Sequence, residues 1–225
     1  VRMNMARESY QEQLEALLSD TIEMSEVVIE RYETALRALE NKNESLARTV
    51  IDGDDEINEL YLGLEGDCID LFALQQPVAS DLRFVASSFK ILTDLERIGD
   101  LATNLAGYAL EAERERYPEV DVIYIGTEAG AMVSEAMDAD NRADPDGARE
   151  VAARDNEIDR LCGAASDAVI EDLLRTEYGD EGMETMDDVS RLLLTIRDLE
   201  RVADHAVNIC ARTVYMTDHD PELIY

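Results

Sequence analysis

A thirteen-residue motif occurs twice in this chain, and it constrains the fold more than any other feature. DLERIGDLATNLA occupies residues 94–106 and returns as DLERVADHAVNIC at residues 198–210, with seven of thirteen positions identical. Upstream, DDEINEL at residues 54–60 returns as DNEIDRL at residues 155–161. Because the copies stand in the same order with nearly the same offset, the chain is expected to be a duplication of two similar halves.

Helix-forming residues dominate both halves, and short breaks containing Pro, Gly or Asn divide them. The pattern predicts six helical runs, near residues 6–40, 44–75, 79–112, 118–141, 145–176 and 185–217. Asp144 followed by Pro145 is a favourable helix start, because it gives an acidic N-cap and then proline at the first helical position. No segment alternates convincingly between apolar and polar residues, so no strand is predicted.

Long amphipathic helices bury one stripe each and need partner helices to do so. Short connections between them favour antiparallel neighbours. The predicted fold is therefore all-α, with two tandem antiparallel three-helix bundles at residues 1–115 and 116–225.

The chain is strongly acidic, with 52 Asp and Glu against 20 Lys and Arg and a net charge of −32. Only Lys42 and Lys90 are lysines. Such a charge destabilises a compact fold unless salt screens it, and at about 1 M salt the Debye length is only about 3 Å. The composition therefore predicts a halophilic host. The same charge argues against direct binding to nucleic acid or to an anionic membrane surface.

No apolar run approaches the roughly 18 residues of a transmembrane helix. The N-terminal VRMNMARESYQEQ lacks the apolar segment of a signal peptide. The three cysteines, Cys68, Cys162 and Cys210, form no CxxC pair and lie in helix-like apolar surroundings, which favours buried free thiols. We therefore expect a cytoplasmic protein without membrane insertion.

The repeated motif places a row of polar side chains opposite its apolar stripe. On a helical wheel of about 100° per residue, Ile91, Leu95 and Ile98 mark the core side of the first copy. The residues on the opposite side are Glu96, Asp100 and Asn104 in the first copy and Glu200, Asp204 and Asn208 in the second. At the margins of the two preceding helices, the matching positions are Asp54 with Asn58 and Asp155 with Asp159.

These rows have two interpretations. Nearly one residue in four is acidic, so any single i,i+4 acidic pair is most simply a solvated face of an acidic protein. The duplicated register favours a second interpretation, because both halves keep Glu, Asp and Asn at the same spacing. Carboxylate and amide oxygens are ligands that hard or borderline cations prefer. The paired rows therefore predict metal binding.

Three further side chains of the motif carry weaker signals. His205 follows Asp204 and is expected to be a helix-surface histidine, with metal ligation as the alternative. Arg97 and Arg201 follow the two glutamates, and an i,i−3 ion pair with Asp94 and Asp198 respectively is expected.

The functional alternatives at this point are an interaction protein, a metal-dependent phosphohydrolase and a purely structural acidic bundle. No P-loop, GxSxG, HExxH or glycine-rich phosphate loop is present. The Glu-x-x-His pairs of ferritin-like di-iron bundles are absent as well. A phosphohydrolase would use a metal-bound water, but no general base beyond the ligands is evident, so we predict that the chain is not an enzyme.

The two copies of DLERxxDxxxN, together with QPVASDLR at residues 76–83 and the two DxEIxxL segments, resemble the PhoU family of phosphate-uptake regulators. The resemblance covers essentially the whole chain. It implies two three-helix bundles with E(D)xxxD motifs that bind metal clusters on the outer surface, the metal being iron, zinc or another divalent cation. The residues that match these motifs are Glu96, Asp100, Glu200, Asp204, Asp155, Asp159 and Asp54.

Asn58 stands where the motif has an acid, so one ligand of the first half departs from the family pattern. Asn58, Asn104 and Asn208 are candidate additional ligands. The resemblance implies regulation rather than catalysis, through damping of phosphate import by the phosphate ABC transporter, whose subunits are the expected partners. A sensor histidine kinase is expected as a partner only if the host has one, and the sequence leaves monomer and homodimer open.

Overall fold

The computed structural model describes residues 2–73, 79–111, 120–175 and 182–224, which form eight helices and no strand. The helices of the first half are α1 (Arg2–Asn41), α2 (Glu44–Asp52), α3 (Asp54–Ala73) and α4 (Ala79–Glu111). Those of the second half are α5 (Val122–Asn141), α6 (Pro145–Ala153), α7 (Asp155–Arg175) and α8 (Gly182–Asp218). The all-helical prediction is confirmed. Residues 76–78 of the QPVASDLR motif lie outside the described ranges, and its last five residues open α4.

Two of the six predicted runs are each divided into a short and a long helix. The break in the first half falls at Gly53, whose N–H bonds back to the carbonyls of Thr49 and Val50. Glycine favours such a break because it is a poor helix former. The equivalent break in the second half falls at Arg154, whose N–H bonds to the carbonyl of Val151. Each of these two predicted runs is thus helical on both sides of a one-residue break.

An arginine side chain stabilises each break. It comes from α1 in the first half and from the break residue itself in the second half. Arg31 of α1 donates to the carbonyl of Thr49 at 3.1 Å and pairs with Glu56. Arg154 pairs with Glu135 of α5 at 2.7 Å. The consequence for function is that each break starts a new helix with an aspartate, the first of the predicted metal ligands in its half.

The two halves pack against each other through one continuous hydrophobic core that includes residues of all eight helices. α1 packs beside α5, where fully buried Tyr32 donates its hydroxyl to the carbonyl of Gly126 at 2.6 Å. α4 packs beside α8 in antiparallel orientation, with Arg191 pairing with Glu111 near one end. The predicted core stripes of the repeated motif are confirmed, since Leu95 and Leu199 are both fully buried.

Several smaller predictions agree with the structure. The Asp144 carboxylate accepts the N–H of Gly147 at 2.9 Å, as an N-cap residue does, and α6 begins at Pro145. The three cysteines are free and buried. Within the described ranges, no helix is long and apolar enough to cross a membrane.

One buried carboxylate gives the fold a pH dependence. Asp140 of α5 is 6% exposed and accepts the Thr213 hydroxyl of α8 at 2.9 Å. Burial raises the pKa of Asp140 to about 6, against the opposing effect of the Thr213 hydrogen bond. Because the pKa is higher in the folded chain than in the unfolded chain, stability is lost as the pH rises through about 6.

Asp140→Asn is therefore expected to stabilise the chain at pH 7.5 by on the order of 2–3 kcal/mol, because asparagine keeps an acceptor for Thr213 without the buried charge. Denaturant unfolding at pH 5.5 and 7.5, in one fixed high-salt buffer, measures this effect. The matched control is Asp138→Asn on the exposed side of the same helix. A variant with the wild-type difference in stability between the two pH values would contradict the assignment.

Candidate metal centre

The second half brings four predicted ligands together where α7 begins beside the middle of α8. Asp155 and Asp159 lie one turn apart on α7, and Glu200 and Asp204 lie one turn apart on α8. Burial, followed by the charges of Asp159, Asp204 and Glu200, raises the pKa of Asp155 to about 6. Burial and the neighbouring carboxylates also raise the pKa values of Glu200 and Asp204. These four residues are called the second cluster below.

Asp155 is the least satisfied member of the second cluster. Its Oδ1 atom is buried and has no hydrogen-bond partner. Buried carboxylate oxygens are normally paired, and an unpaired one costs free energy. A cation bound between α7 and α8 would supply the missing partner, so the donors of this cluster fit a divalent metal ion in both chemistry and charge.

The first half forms a corresponding first cluster of Asp54, Glu96 and Asp100. Burial, followed by the charge of Asp54, raises the pKa of Asp100. Burial, followed by the charge of Asp100, raises that of Glu96. Asp54 itself is already hydrogen-bonded, because it accepts the Thr103 hydroxyl at 2.9 Å and the Asn58 amide at 3.2 Å.

The difference between the clusters follows from two sequence positions. Val207 occupies the position equivalent to Thr103, and Asp159 the position equivalent to Asn58. Where the first half has two neutral hydrogen-bond donors, the second half has the apolar Val207 and the carboxylate of Asp159. The second cluster consequently has more negative charge and fewer protein donors than the first, which makes it the stronger candidate for a metal.

Arg97 further distinguishes the first cluster. Its guanidinium lies 3.5 Å from Glu96 and 3.4 Å from Asp100. The predicted ion pair between Arg97 and Asp94 is therefore wrong, because the carboxylates on either side of Arg97 are nearer to its guanidinium. The charge of Arg201, its counterpart, only partly opposes the burial and the charge of Asp159 that raise the pKa of Asp204.

Asn104 and Asn208, the two candidate amide ligands of the motif, extend across the boundary between the halves. Asn208 donates to Asp94 at 3.0 Å, and Asn104 donates to Asp198 at 3.3 Å. The two contacts are equivalent under the duplication, since each joins the aspartate that begins one motif copy to the asparagine of the other copy. We call these four residues the reciprocal clasp. In the structure, the amides of both asparagines therefore bind aspartates of the clasp.

His205 belongs to the same interface. Its Nδ1 atom lies 2.8 Å from Asp94, and its side chain is only 15% exposed. The prediction of a surface histidine is therefore wrong, because α4 covers the ring. His205 also lies near both clusters, since its charge would lower the pKa values of Glu96 and Asp204.

The sequence reasoning missed Asp94 and Asp198 as interface residues. Both motif copies keep an Asp and an Asn ten residues apart, Asp94 with Asn104 and Asp198 with Asn208. A single cluster on one helix does not require this spacing, so the repeated spacing was the available signal. Asp198 is fully buried and also accepts the Tyr108 hydroxyl at 2.9 Å.

Across the described ranges, no three His, Cys, Asp or Glu side chains are arranged closely enough to hold a metal ion as they stand. Like charges at close spacing repel one another, and a bound cation would offset this repulsion. The carboxylates are on the surfaces of rigid helices, and rotation of their side chains is sufficient to change the distances between their oxygens.

The chain matches known proteins along most of its length. The model of the PhoU domain matches residues 21–109 and 122–213. Over 212 residues, covering 93% of this chain and 85% of the relative, the chain is 34% identical to the phosphate-specific transport system accessory protein PhoU homolog of Pseudomonas aeruginosa. It is 31% identical to a homolog of the same description from Methanothermobacter thermautotrophicus, over 92% of this chain and 93% of the relative.

Solved structures agree with this relationship. The crystal structure of PhoU from Pseudomonas aeruginosa superposes with a TM-score of 0.86 at 32% identity, covering 94% of this chain and all of that one. The phosphate transport system regulatory protein PhoU from Streptococcus pneumoniae superposes with a TM-score of 0.85 at 29% identity, covering 94% and 98% of the two chains. The duplicated motif, the helical fold and these matches together show that the chain belongs to the PhoU family.

Proposed function

We propose that this chain is a cytoplasmic, metal-bearing adaptor that restrains phosphate uptake through a phosphate ABC transporter. Its relatives from Pseudomonas aeruginosa and Escherichia coli are named accessory proteins of the phosphate-specific transport system. The observation that carries the metal part of the proposal is the second cluster, in which Asp155 has a buried oxygen without a partner and the charges of three other carboxylates act on it.

Asp155, Asp159, Glu200 and Asp204 would hold the principal metal, either iron, zinc or another divalent cation. When bound, the cation supplies the positive charge that this cluster lacks. The protein's contribution is to present carboxylates from two helices, so that metal binding joins α7 to α8 at the N-terminal end of α7. The metal would thereby fix the face that α7 and α8 present to a partner.

The first cluster is proposed as a weaker metal site. Arg97 already offsets part of the charge of Glu96 and Asp100, and Asp54 has two hydrogen-bond donors. A metal there would compete with these contacts. The partners we propose are the cytoplasmic parts of the transporter, with a sensor histidine kinase added only in a host that has one.

We also propose that the chain is adapted to a salt-rich cytoplasm. The chain has a net charge of −32 over 225 residues and contains only two lysines. Ion pairs cannot balance such an excess, because basic residues number only 20. Screening by dissolved salt is the remaining means of limiting repulsion between exposed carboxylates.

Glu200→Ala/Asp204→Ala is expected to remove the metal of the second half and to weaken capture of transporter subunits. The protein is purified in native salt from phosphate-replete cells, its metal content is measured by mass spectrometry, and the co-purified proteins are identified. We expect wild-type chain to retain metal and transporter subunits, and the double variant to lose both. Glu96→Ala/Asp100→Ala should lose less metal than the second-half variant.

Asp55→Ala/Glu59→Ala is the matched control, because it removes an exposed i,i+4 acidic pair from α3 outside both clusters. It should behave as wild type. Unchanged metal content in the Glu200→Ala/Asp204→Ala variant would refute the metal assignment. Absence of transporter subunits from the wild-type preparation would count against the adaptor function, and metal-dependent release of phosphate from model esters would favour a phosphohydrolase instead.

A further inference from the structure

Unpartnered polar atoms gather where α4 begins, away from both carboxylate clusters. In the part of the chain that the structure describes, five buried side-chain polar atoms lack a hydrogen-bond partner, and two of them, Arg83 Nε and Ser87 Oγ, lie in the first turns of α4. Arg83 and Ser87 lie one turn apart on α4 and are therefore neighbours on its surface. We call Arg83 and Ser87 the donor cluster.

Arg83 determines which ligand chemistry the donor cluster can accept. Among the described residues, its guanidinium has no carboxylate partner, although acids outnumber basic residues by 52 to 20. Its Nη2 atom instead lies 2.7 Å from Nε2 of His219. A guanidinium carries five donors in a planar fork that matches the oxygens of phosphate and similar anions. The Ser87 hydroxyl, one turn along α4, adds a further donor.

A C-terminal tail, residues 218–224, is held beside the donor cluster. Arg149 of α6 pairs with three acids of this tail, namely Asp218 at 2.9 Å, Asp220 at 3.8 Å and Glu222 at 2.6 Å. His219 has a positive φ of 61°, a left-handed conformation that turns the chain at the end of α8 and accompanies its contact with Arg83. The tail is thus fastened by two arginines from different helices.

We propose that the donor cluster binds a small tetrahedral oxyanion, such as inorganic phosphate or sulfate, and that the C-terminal tail is a strap that controls access to it. The His219 contact occupies one side of the Arg83 fork, so an oxyanion must displace His219 to engage that fork. The tail carboxylates oppose an approaching anion, and Arg149 offsets their charge. Oxyanion binding therefore releases the strap.

The inference goes beyond the proposed adaptor function, because neither metal nor a transporter is needed for it. Phosphate also binds metal ions, so the test uses full-length chain treated with a chelator. Equilibrium dialysis against labelled inorganic phosphate, at a fixed ionic strength set with KCl, should give saturable binding of one phosphate per chain. Unlabelled sulfate should compete, and hydrogen exchange of the tail amides should accelerate when phosphate is added.

Arg83→Gln should weaken phosphate binding by at least about tenfold, because the paired donors of the guanidinium are lost. Arg48→Gln is the matched control, since Arg48 is an exposed arginine that pairs only with Glu44 of its own helix among the described contacts. Asp218→Asn/Glu222→Gln should strengthen binding several-fold by loosening the strap. If circular dichroism shows that Arg83→Gln does not fold, phosphate binding to Ser87→Ala is measured instead. Several-fold weaker binding than that of wild type is expected.

Saturable binding that is lost in Arg83→Gln and retained in Arg48→Gln supports the site. The proposal is overturned if neither wild type nor the loosened-tail variant binds phosphate saturably up to millimolar concentrations. It is also overturned if Arg83→Gln and Arg48→Gln lower the affinity equally, because the effect would then reflect net charge alone. Where Ser87→Ala replaces Arg83→Gln, an unchanged affinity for phosphate in the folded variant also overturns the proposal.

Discussion

Asp198→Ala should destabilise the chain by about 2–3 kcal/mol, the upper part of the range for removing the acceptor from hydrogen-bonded donors. Asp198 is fully buried and accepts hydrogen bonds from Tyr108 at 2.9 Å, Asn104 at 3.3 Å and Arg197 at 2.9 Å. Alanine leaves the buried parts of these donors without an acceptor. Because two of the donors come from α4, the loss weakens the contact between the two halves.

Asp94→Ala tests the other side of the reciprocal clasp and should cost less, about 1–2 kcal/mol. The Asp94 side chain is 14% exposed, so water can replace it as an acceptor for His205 and Asn208. Denaturant unfolding in one high-salt buffer measures both variants, with exposed Asp187→Ala on α8 as the control. Equal losses in Asp198→Ala and Asp187→Ala would show that the clasp does not hold the halves together.

The clasp shows why the sequence predicted the fold better than it predicted the role of individual polar residues. The apolar stripe around Leu95 and Leu199 depends on helical periodicity, which is a local property of the sequence. The partners of Asp94 and Asn104 lie about a hundred residues away. Their pairing depends on how α4 crosses α8, and periodicity within one helix carries no information about that crossing.

The carboxylate rows were predicted on the correct side of their helices, but their surroundings were not. A helical wheel places Glu96 and Glu200 opposite the core and treats the positions as equivalent. In the structure they differ, because Arg97 lies close to Glu96 and because the second cluster has a fourth carboxylate in Asp159. Asn58 in place of an acid indicated the missing carboxylate from the sequence, and comparison of Thr103 with Val207 could have added that only Asp54 has a hydroxyl donor at this position.

The helix breaks at Gly53 and Arg154 illustrate a different limit. Both segments contain good helix formers on either side, so propensity favours one continuous helix in each half. The break is stabilised by side chains from outside the segment, Arg31 in the first half and Glu135 in the second. Tertiary contacts of this kind cannot be read from the local sequence.

Transfer from 2 M to 0.1 M KCl should lower the melting temperature of the chain by tens of degrees, the largest effect that we expect from any change of conditions. At 0.1 M salt the Debye length is about 10 Å, so carboxylates on neighbouring helices repel one another, whereas at 1 M it is about 3 Å. The repulsion is large because the net charge is −32. Circular dichroism melts of chelator-treated protein across a KCl series measure the effect.

Glu23→Lys/Glu26→Lys/Glu30→Lys separates charge screening from the general stabilising effect of concentrated solutes. The three glutamates are exposed on α1, and their replacement changes the net charge from −32 to −26. This variant should melt higher than wild type at 0.1 M KCl and at nearly the same temperature at 2 M. Sucrose stabilises proteins by exclusion without screening charge, so it should leave the gap between variant and wild type unchanged. A gap that persists in 2 M KCl would show that screening is not the cause.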